Sequence, residues 1–402
     1  MKVVQISGAY VGAQKIIERA IHEECIARGY ESCVLYAIGS SDEHGISCYE
    51  SKVPSLFRRA LRKYCGKNPR FSRWSTKQLI HRLQKYQPDL VHLHVLHHGY
   101  LDYEVLLDYL IRNKIPVVYT AHDMWAFTGG CYYYTKENCT GFQVGCRECL
   151  ADPKRLDNAP DKTAYHFTLK KKLISGLSEV QFVAVSQWVA DEMQKSFLSQ
   201  YPISVIANGI EPLPFSLVSD SAAETKSDQL LLLGVAAVWD ERKGIDRIFE
   251  MARILGDDYQ FQLVGSASEE IMVKAPNNIQ FLGYIGNRTE LLQLYAKADL
   301  HISASFEETF GMTFIEAAFA GTRSIGYAAT AVKSTLEGVK GIAISEFTAE
   351  AMAREIQSLS AWGNLKLHSN EIQSAIDRYS SEAMAKKYCD IYQSVFEKGL
   401  DV

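Results

Sequence analysis

No stretch of this 402-residue chain reaches about 18 uninterrupted apolar residues, so no helix is expected to span a membrane. The N-terminal MKVVQISGAYVGAQKII lacks a long apolar run ahead of a small-residue cleavage site. It reads as a first strand, not a secretory signal. Cysteine is held to 9 residues and, without an export signal, is expected as thiols in a reducing cytoplasm. Apolar residues make up 47% and charged residues 22%, which excludes intrinsic disorder, collagen-like order and a disulfide-stapled scaffold. Neither charge dominates: 43 Lys+Arg stand against 47 Asp+Glu, a formal −4. A soluble, cytoplasmic protein of two domains is the expectation.

What is present is an alternation of short β-branched runs and helical-period segments, the pattern of parallel sheets covered by helices. In the first half the predicted strands are Val3–Ser7, Ser32–Tyr36, Leu90–His94, Val117–Thr120, Gln181–Val185 and Ile203–Ile206. After Asn208-Gly209, the run EPLPFSLVSDSAAETKSDQ has two prolines and no period, and reads as a linker over 209–228. A second alternation follows over 229–381, with strands at Leu230–Val235, Gln260–Val264, Ile279–Leu282, Leu300–Ser303 and Ser324–Tyr327. The predicted fold is α/β, two doubly wound Rossmann-like domains facing across a cleft. Residues 1–208 form the first, with a C-terminal helix at about 382–400 packing back on it. Ligands of such sheets bind at the carboxyl ends of strands.

The most informative strand end is ISASFEETFGMTFIEAAFAG. Glu308 falls on a loop and Glu316 in the first turns of the next helix, with Phe310 and Gly311 between them. Unpaired N–H groups near Gly311, Met312 and Thr313, at the positive end of a helix dipole, suit a diphosphate. Carboxylates beside them can accept from sugar hydroxyls. The blander alternative is a helix-capping Glu316 and a solvated Glu308.

The Glu308…Glu316 pair around Phe-Gly resembles the motif of family 4 retaining glycosyltransferases of the B-type fold. Other segments match in order: AAVWDERKGIDRIFEMARIL, VIANGI, PDLVHLH, TAHD and VAVSQW. The resemblance implies that Glu316 holds the nucleotide ribose, Glu308 the donor sugar, and Lys243 with Arg242 the diphosphate. It implies that His122 faces the donor sugar and that Gly12 lets backbone approach the phosphate. His94, Asp123 and Trp125 are then expected on the acceptor side. The chain departs from the pattern at Val11-Gly12, at Thr313 in place of a common proline, and at Ala237-Val238-Trp239 where an arginine is common.

Two further segments carry expectations. Cys131, Cys139, Cys146 and Cys149 end in a Cys-x-x-Cys and could close a loop around a structural zinc; free thiols or two disulfides are the alternatives. A similar cysteine loop is seen in a bacterial exopolysaccharide subset of the family, resembling the colanic acid transferases. Residues 51–88 hold eleven Lys or Arg and no acid, with Leu56, Phe57, Phe71 and Trp74 interleaved. Docking to an anionic membrane surface fits this segment better than nucleic acid does, which leaves peripheral attachment at the inner face of the cell membrane or a merely solvated helix pair. The expected function is metal-independent transfer, with no catalytic cofactor, from a nucleotide diphosphate sugar to a saccharide or lipid-linked acceptor in surface polysaccharide synthesis. A sugar-binding protein and a glycoside hydrolase are the competing classes.

Overall fold

The computed structural model describes residues 1–49, 69–97, 99–147, 149, 163–212, 229–361 and 365–400. The chain divides into two compact units: Met1–Gly209 with Ser381–Val402, and Ile210–Ser380. Most of the expected linker lies outside the described residues, as do His98 and the basic residues Lys52, Arg58, Arg59, Arg62, Lys63 and Lys67.

In the first unit seven parallel strands run in the order β3-β2-β1-β4-β5-β6-β7. They are β1 (Lys2–Tyr10), β2 (Glu31–Gly39), β3 (Ile46–Cys48), β4 (Leu90–Leu93), β5 (Val117–Ala121), β6 (Val180–Ala184) and β7 (Ile203–Val205). The interior strands β4, β5 and β6 are buried at every residue, as covering both faces of a parallel sheet requires. Helix Gly12–Ala27 and the C-terminal helix Ser381–Leu400 share one core with this sheet. Ile17, Ile21 and Cys25 pack there with Val3, Leu90 and Val118, and Met384, Tyr388 and Tyr392 fill the same cluster. The last helix thus belongs to the first sheet although 171 residues of the second unit precede it.

The second unit repeats the plan with six strands in the order β10-β9-β8-β11-β12-β13. These are β8 (Leu230–Val238), β9 (Tyr259–Ser266), β10 (Ile279–Gly283), β11 (Leu300–Ser303), β12 (Ser324–Tyr327) and β13 (Ile342–Ile344). Both orders reverse direction once, between β1 and β4 and between β8 and β11. Diverging loops at such a switch leave a crevice at the carboxyl ends. The two strands that the sequence pattern missed, β3 and β13, are three-residue edge strands, too short to show a period.

Candidate active site

In the second unit, β8 and β11 end side by side, and the chain after each supplies the charged groups. Beyond β8, Lys243 is followed by Gly244, whose φ of +71° starts helix Ile245–Leu255. A Cβ at Gly244 would lie 2.1 Å from the Ala304 carbonyl oxygen, so only glycine lets this turn pass behind β11. Beyond β11, Gly311 at φ +90° starts helix Met312–Phe319. Neither helix has a side-chain cap. By contrast, Asp102, Ser186 and Asn287 cap the helices at Tyr103–Arg112, Gln187–Gln194 and Arg288–Lys297. Helix starts left without a capping oxygen keep their N–H groups available to an anion.

Lys243 Nζ meets Glu308 Oε1 at 2.5 Å, with the two side chains 19% and 17% exposed. Burial works to raise the Glu308 pKa. The Lys243 ammonium, with Arg242 and Ser305 behind it, outweighs burial and holds the carboxyl below its ordinary value. Glu308 is therefore a carboxylate. Its loop is pinned through Thr330, which donates to the Glu308 carbonyl at 2.9 Å and accepts from the Glu308 N–H at 3.0 Å. Glu316 behaves differently. Burial pushes it up to about 7, against a hydrogen bond from Tyr295 and the charge of Arg288. Tyr295 Oη donates to Glu316 Oε2 at 3.1 Å. Tyr295 and Thr330 carry no motif of their own, and nothing in the local pattern marks them. Phe310 is buried against Tyr379, while Met312 and Thr313 are partly buried in the first turn of their helix.

In the first unit, helix Gly12–Ala27 follows β1 with Gly12 at φ +55° and again no side-chain cap. His94 and His122 follow β4 and β5. His94, Val95, His97, Tyr119, Thr120, Ala121, His122 and Asp123 line a narrow depression that encloses no space for a water molecule. His94 Nδ1 lies 3.1 Å from His122 Nε2. His97 Nε2 lies 2.6 Å from Asp123 Oδ2, and Asp123 Oδ1 accepts from the Trp125 N–H at 2.9 Å. Burial would raise the Asp123 carboxyl, but His97 and that N–H together keep it below its usual value.

Two of the residues expected on the acceptor side are buried. His94 is 1% exposed, with both ring nitrogens engaged inside the protein. Trp125 is 9% exposed, with Lys170 Nζ 3.9 Å from its ring centroid and the Tyr103 ring edge-on at 5.2 Å. His94 lines the depression, and Trp125 stands behind it through the bond from its N–H to Asp123.

The cysteine loop gives no geometric support to a metal. Among the described residues no group of three or more His, Cys, Asp or Glu side chains is arranged to hold an ion. No disulfide joins Cys131, Cys139, Cys146 and Cys149 either. Burial, followed by the neighbouring Cys149, Cys146 and Cys139, pushes the Cys131 thiol up. Cys146 Sγ accepts from the Gly129 N–H at 3.2 Å. Of the basic segment, Arg73 pairs with Asp102 at 3.0 Å, and Trp74 is 51% exposed. No described helix is long and apolar enough to cross a membrane.

Two reversing parallel sheets, each with a glycine-started helix at its switch point, place helix N-termini where phosphate-bearing ligands of such sheets bind. Residues 19–212 match the family model described as Glycosyltransferase Family 4, and residues 229–361 match Glycosyl transferases group 1. The chain belongs to the family 4 glycosyltransferases. A glycogen synthase of Elusimicrobium minutum is 24% identical over 407 residues, which cover 86% of this chain and 80% of that protein. A Campylobacter jejuni N,N'-diacetylbacillosaminyl-diphospho-undecaprenol alpha-1,3-N-acetylgalactosaminyltransferase is 23% identical, over 54% of this chain and 61% of its own length. Among solved structures, sucrose-phosphate synthase from Thermosynechococcus elongatus superposes with a TM-score of 0.70 at 18% identity, over 99% of this chain and 100% of the other. Anabaena Alr3699/HepE in complex with UDP and glucose gives 0.65 at 16% identity, over 98% and 100%. These likenesses establish the B-type glycosyltransferase fold expected from the sequence.

Proposed function

We propose that this glycosyltransferase takes a nucleotide diphosphate sugar as donor and transfers the sugar, with retention, to a saccharide acceptor carried on a lipid in bacterial surface polysaccharide synthesis. The observation that carries the donor assignment is the Lys243–Glu308 pair beside two uncapped helix starts. A diphosphate has the charge to compete with Glu308 for the Lys243 ammonium and to accept from free N–H groups. Negative charge grows on that leaving group as the glycosidic bond breaks. A fixed cation there stabilises the transition state more than the ground state. Glu308, kept ionised, accepts from hydroxyls of the sugar, and Glu316 accepts from the ribose. Gly12 allows close backbone approach, and His122 meets a sugar hydroxyl.

Retention follows in this reading from front-face displacement, in which the departing phosphate oxygen takes the acceptor hydroxyl's proton. The named relatives support the substrate classes: HepE is complexed with UDP and glucose, and the Campylobacter enzyme's name specifies a diphospho-undecaprenol acceptor. Attachment to anionic lipid through residues 51–88 rests on their charge, with Trp74 exposed on helix Pro69–Tyr86. A structural zinc rests on the cysteine spacing alone, and elemental analysis of the purified protein decides it.

The test is nucleotide release from UDP-, GDP- and ADP-sugars with anomeric analysis of the product. Lys243→Ala is expected to lower turnover on the order of a hundredfold, the usual cost of one preorganised charge partner. Turnover equal to wild type would remove the diphosphate assignment.

A further inference from the structure

Behind the His122 depression lies a chain of three side chains whose hydrogen-bond polarity can be read in one direction only. It begins at Gln5 in the middle of β1, which is fully buried. Gln5 Nε2 donates to the backbone carbonyl of Glu18 at 3.0 Å. A carbonyl can only accept, so this contact settles which end of the amide is nitrogen. The amide oxygen then faces His94 Nε2 at 3.1 Å, and that ring nitrogen must carry a proton. Burial pushes the His94 pKa well below its ordinary value, and the neighbouring His92 and His122 push the same way. His94 is therefore neutral, with a lone pair on Nδ1.

The next contact follows from the first two. His122 Nε2 lies 3.1 Å from His94 Nδ1, so His122 must donate there. Burial lowers the His122 pKa to about 4 against the opposing charge of Asp123, so this ring is neutral as well. Its single proton is committed to His94. The remaining nitrogen, Nδ1, belongs to a residue that lines the depression, and it can only accept.

We propose that Gln5, acting through His94, holds His122 with a bare Nδ1, so that the sugar group it meets is a hydrogen-bond donor, a neutral hydroxyl or amide rather than a carboxylate. This rests on the reading of His122 as a sugar contact. It adds Gln5 and His94 as positioning residues and narrows the sugar to a neutral class. A carboxylate placed against Nδ1 would either set two acceptors face to face or have to hold a second proton on a ring whose burial opposes it, and both cost more than meeting a hydroxyl.

The test has two arms. The first is ring-nitrogen NMR of the full chain labelled with 15N-histidine, which reads each tautomer without any substrate. His94 and His122 are expected to be protonated at Nε2 only. Gln5→Met removes the acceptor that orders the chain, and protonation at Nδ1 of both rings is expected to appear. His94→Asn places an amide oxygen near the former Nδ1 and is expected to keep His122 protonated at Nε2. This variant carries the test if Gln5→Met does not fold. An Nδ1 proton on His122 in the wild type, or loss of the Nε2 proton in His94→Asn, overturns the proposal. So does an unchanged pattern in folded Gln5→Met.

The second arm compares nucleotide release from UDP-glucose and UDP-glucuronate, and from GDP-mannose and GDP-mannuronate. A preference of at least about tenfold for the neutral sugar is expected, the equivalent of one unmade hydrogen bond. It should narrow in Gln5→Met through the donor KM more than through kcat. Equal turnover of neutral and acidic donors overturns the specificity. Silence toward all four donors with the tautomer pattern intact supports the relay and overturns glucose and mannose as the sugars that His122 meets.

Discussion

The carboxyl ends of the two sheets are built from the same topology and opposite electrostatics. At the end of β8 and β11 the groups are ionic: Lys243 against Glu308 at 2.5 Å, beside helix starts that no side chain caps. At the end of β4 and β5 they are mostly neutral, a buried net in which His92, His94 and His122 are all pushed below the ordinary histidine pKa. The difference teaches what each sheet end is suited to bind. Fixed charge recognises a charged leaving group, and the neutral net recognises hydroxyls by the direction of each hydrogen bond. The net is also tied to the end of the chain, because His92 Nδ1 lies 2.5 Å from Tyr392 Oη and His92 Nε2 lies 2.7 Å from Thr120 Oγ1.

The sharpest way to break that contrast is to make the neutral net incomplete. His92→Leu leaves the buried hydroxyls of Tyr392 and Thr120 without their shared partner. It is expected to cost about 2–4 kcal/mol in denaturant unfolding, with the slope unchanged. Tyr392→Phe removes one contact only and should cost about 1–2 kcal/mol. A loss near zero for both would mean that the C-terminal helix is held by its apolar face alone.

The ionic end is sharpened through pH. Glu316 is raised from an ordinary 4.5 to about 7, so between those values the folded state binds more protons than the unfolded one. Its stabilising contribution is present below about pH 4.5 and is lost as pH rises through 7. Glu308 runs the other way: its carboxyl is lowered, so its contribution is present above the unfolded value and lost as pH falls through the folded one. Glu316→Gln should therefore flatten the wild-type decline in stability between pH 5 and pH 7, by on the order of 1 kcal/mol, in parallel melts across that range. The last effect belongs to the basic segment, where it is divided among four residues. Replacing Arg58, Arg59, Arg62 and Lys63 by Ser should weaken binding to anionic vesicles by at most about 1 kcal/mol per residue. Donor hydrolysis without lipid should stay unchanged, and equal loss of both would assign the segment to structure.

Much of this was legible in the sequence because short buried strands alternate with helical-period segments. Leu300–Ser303 and Ser324–Tyr327 have the boundaries read from the pattern. The Lys243-Gly244 and Gly311 turns were legible through the family pattern, and the structure supplies the reason for glycine there: a positive φ beside the Ala304 carbonyl at Gly244 and beside the Phe314 ring at Gly311. What stayed hidden depends on contacts between distant segments. Gln5 reads as an ordinary polar residue in a strand, and only its placement between Glu18 and His94 gives it a role. Trp125 reads only as an acceptor-side aromatic, and its packing against Lys170 comes from a segment 45 residues away. Cysteine spacing shows that four thiols are near one another in sequence but not whether their sulfurs converge.

The most direct measurement of the central claim is calorimetric titration of the wild type and Lys243→Ala with UDP, GDP and ADP, each beside its own monophosphate. If the charged sheet end reads the diphosphate, one diphosphate will bind the wild type at least about tenfold tighter than its monophosphate, or 1.4 kcal/mol. That margin will close in Lys243→Ala. Equal affinity for diphosphate and monophosphate in the wild type, or an undiminished margin in the variant, would contradict the account.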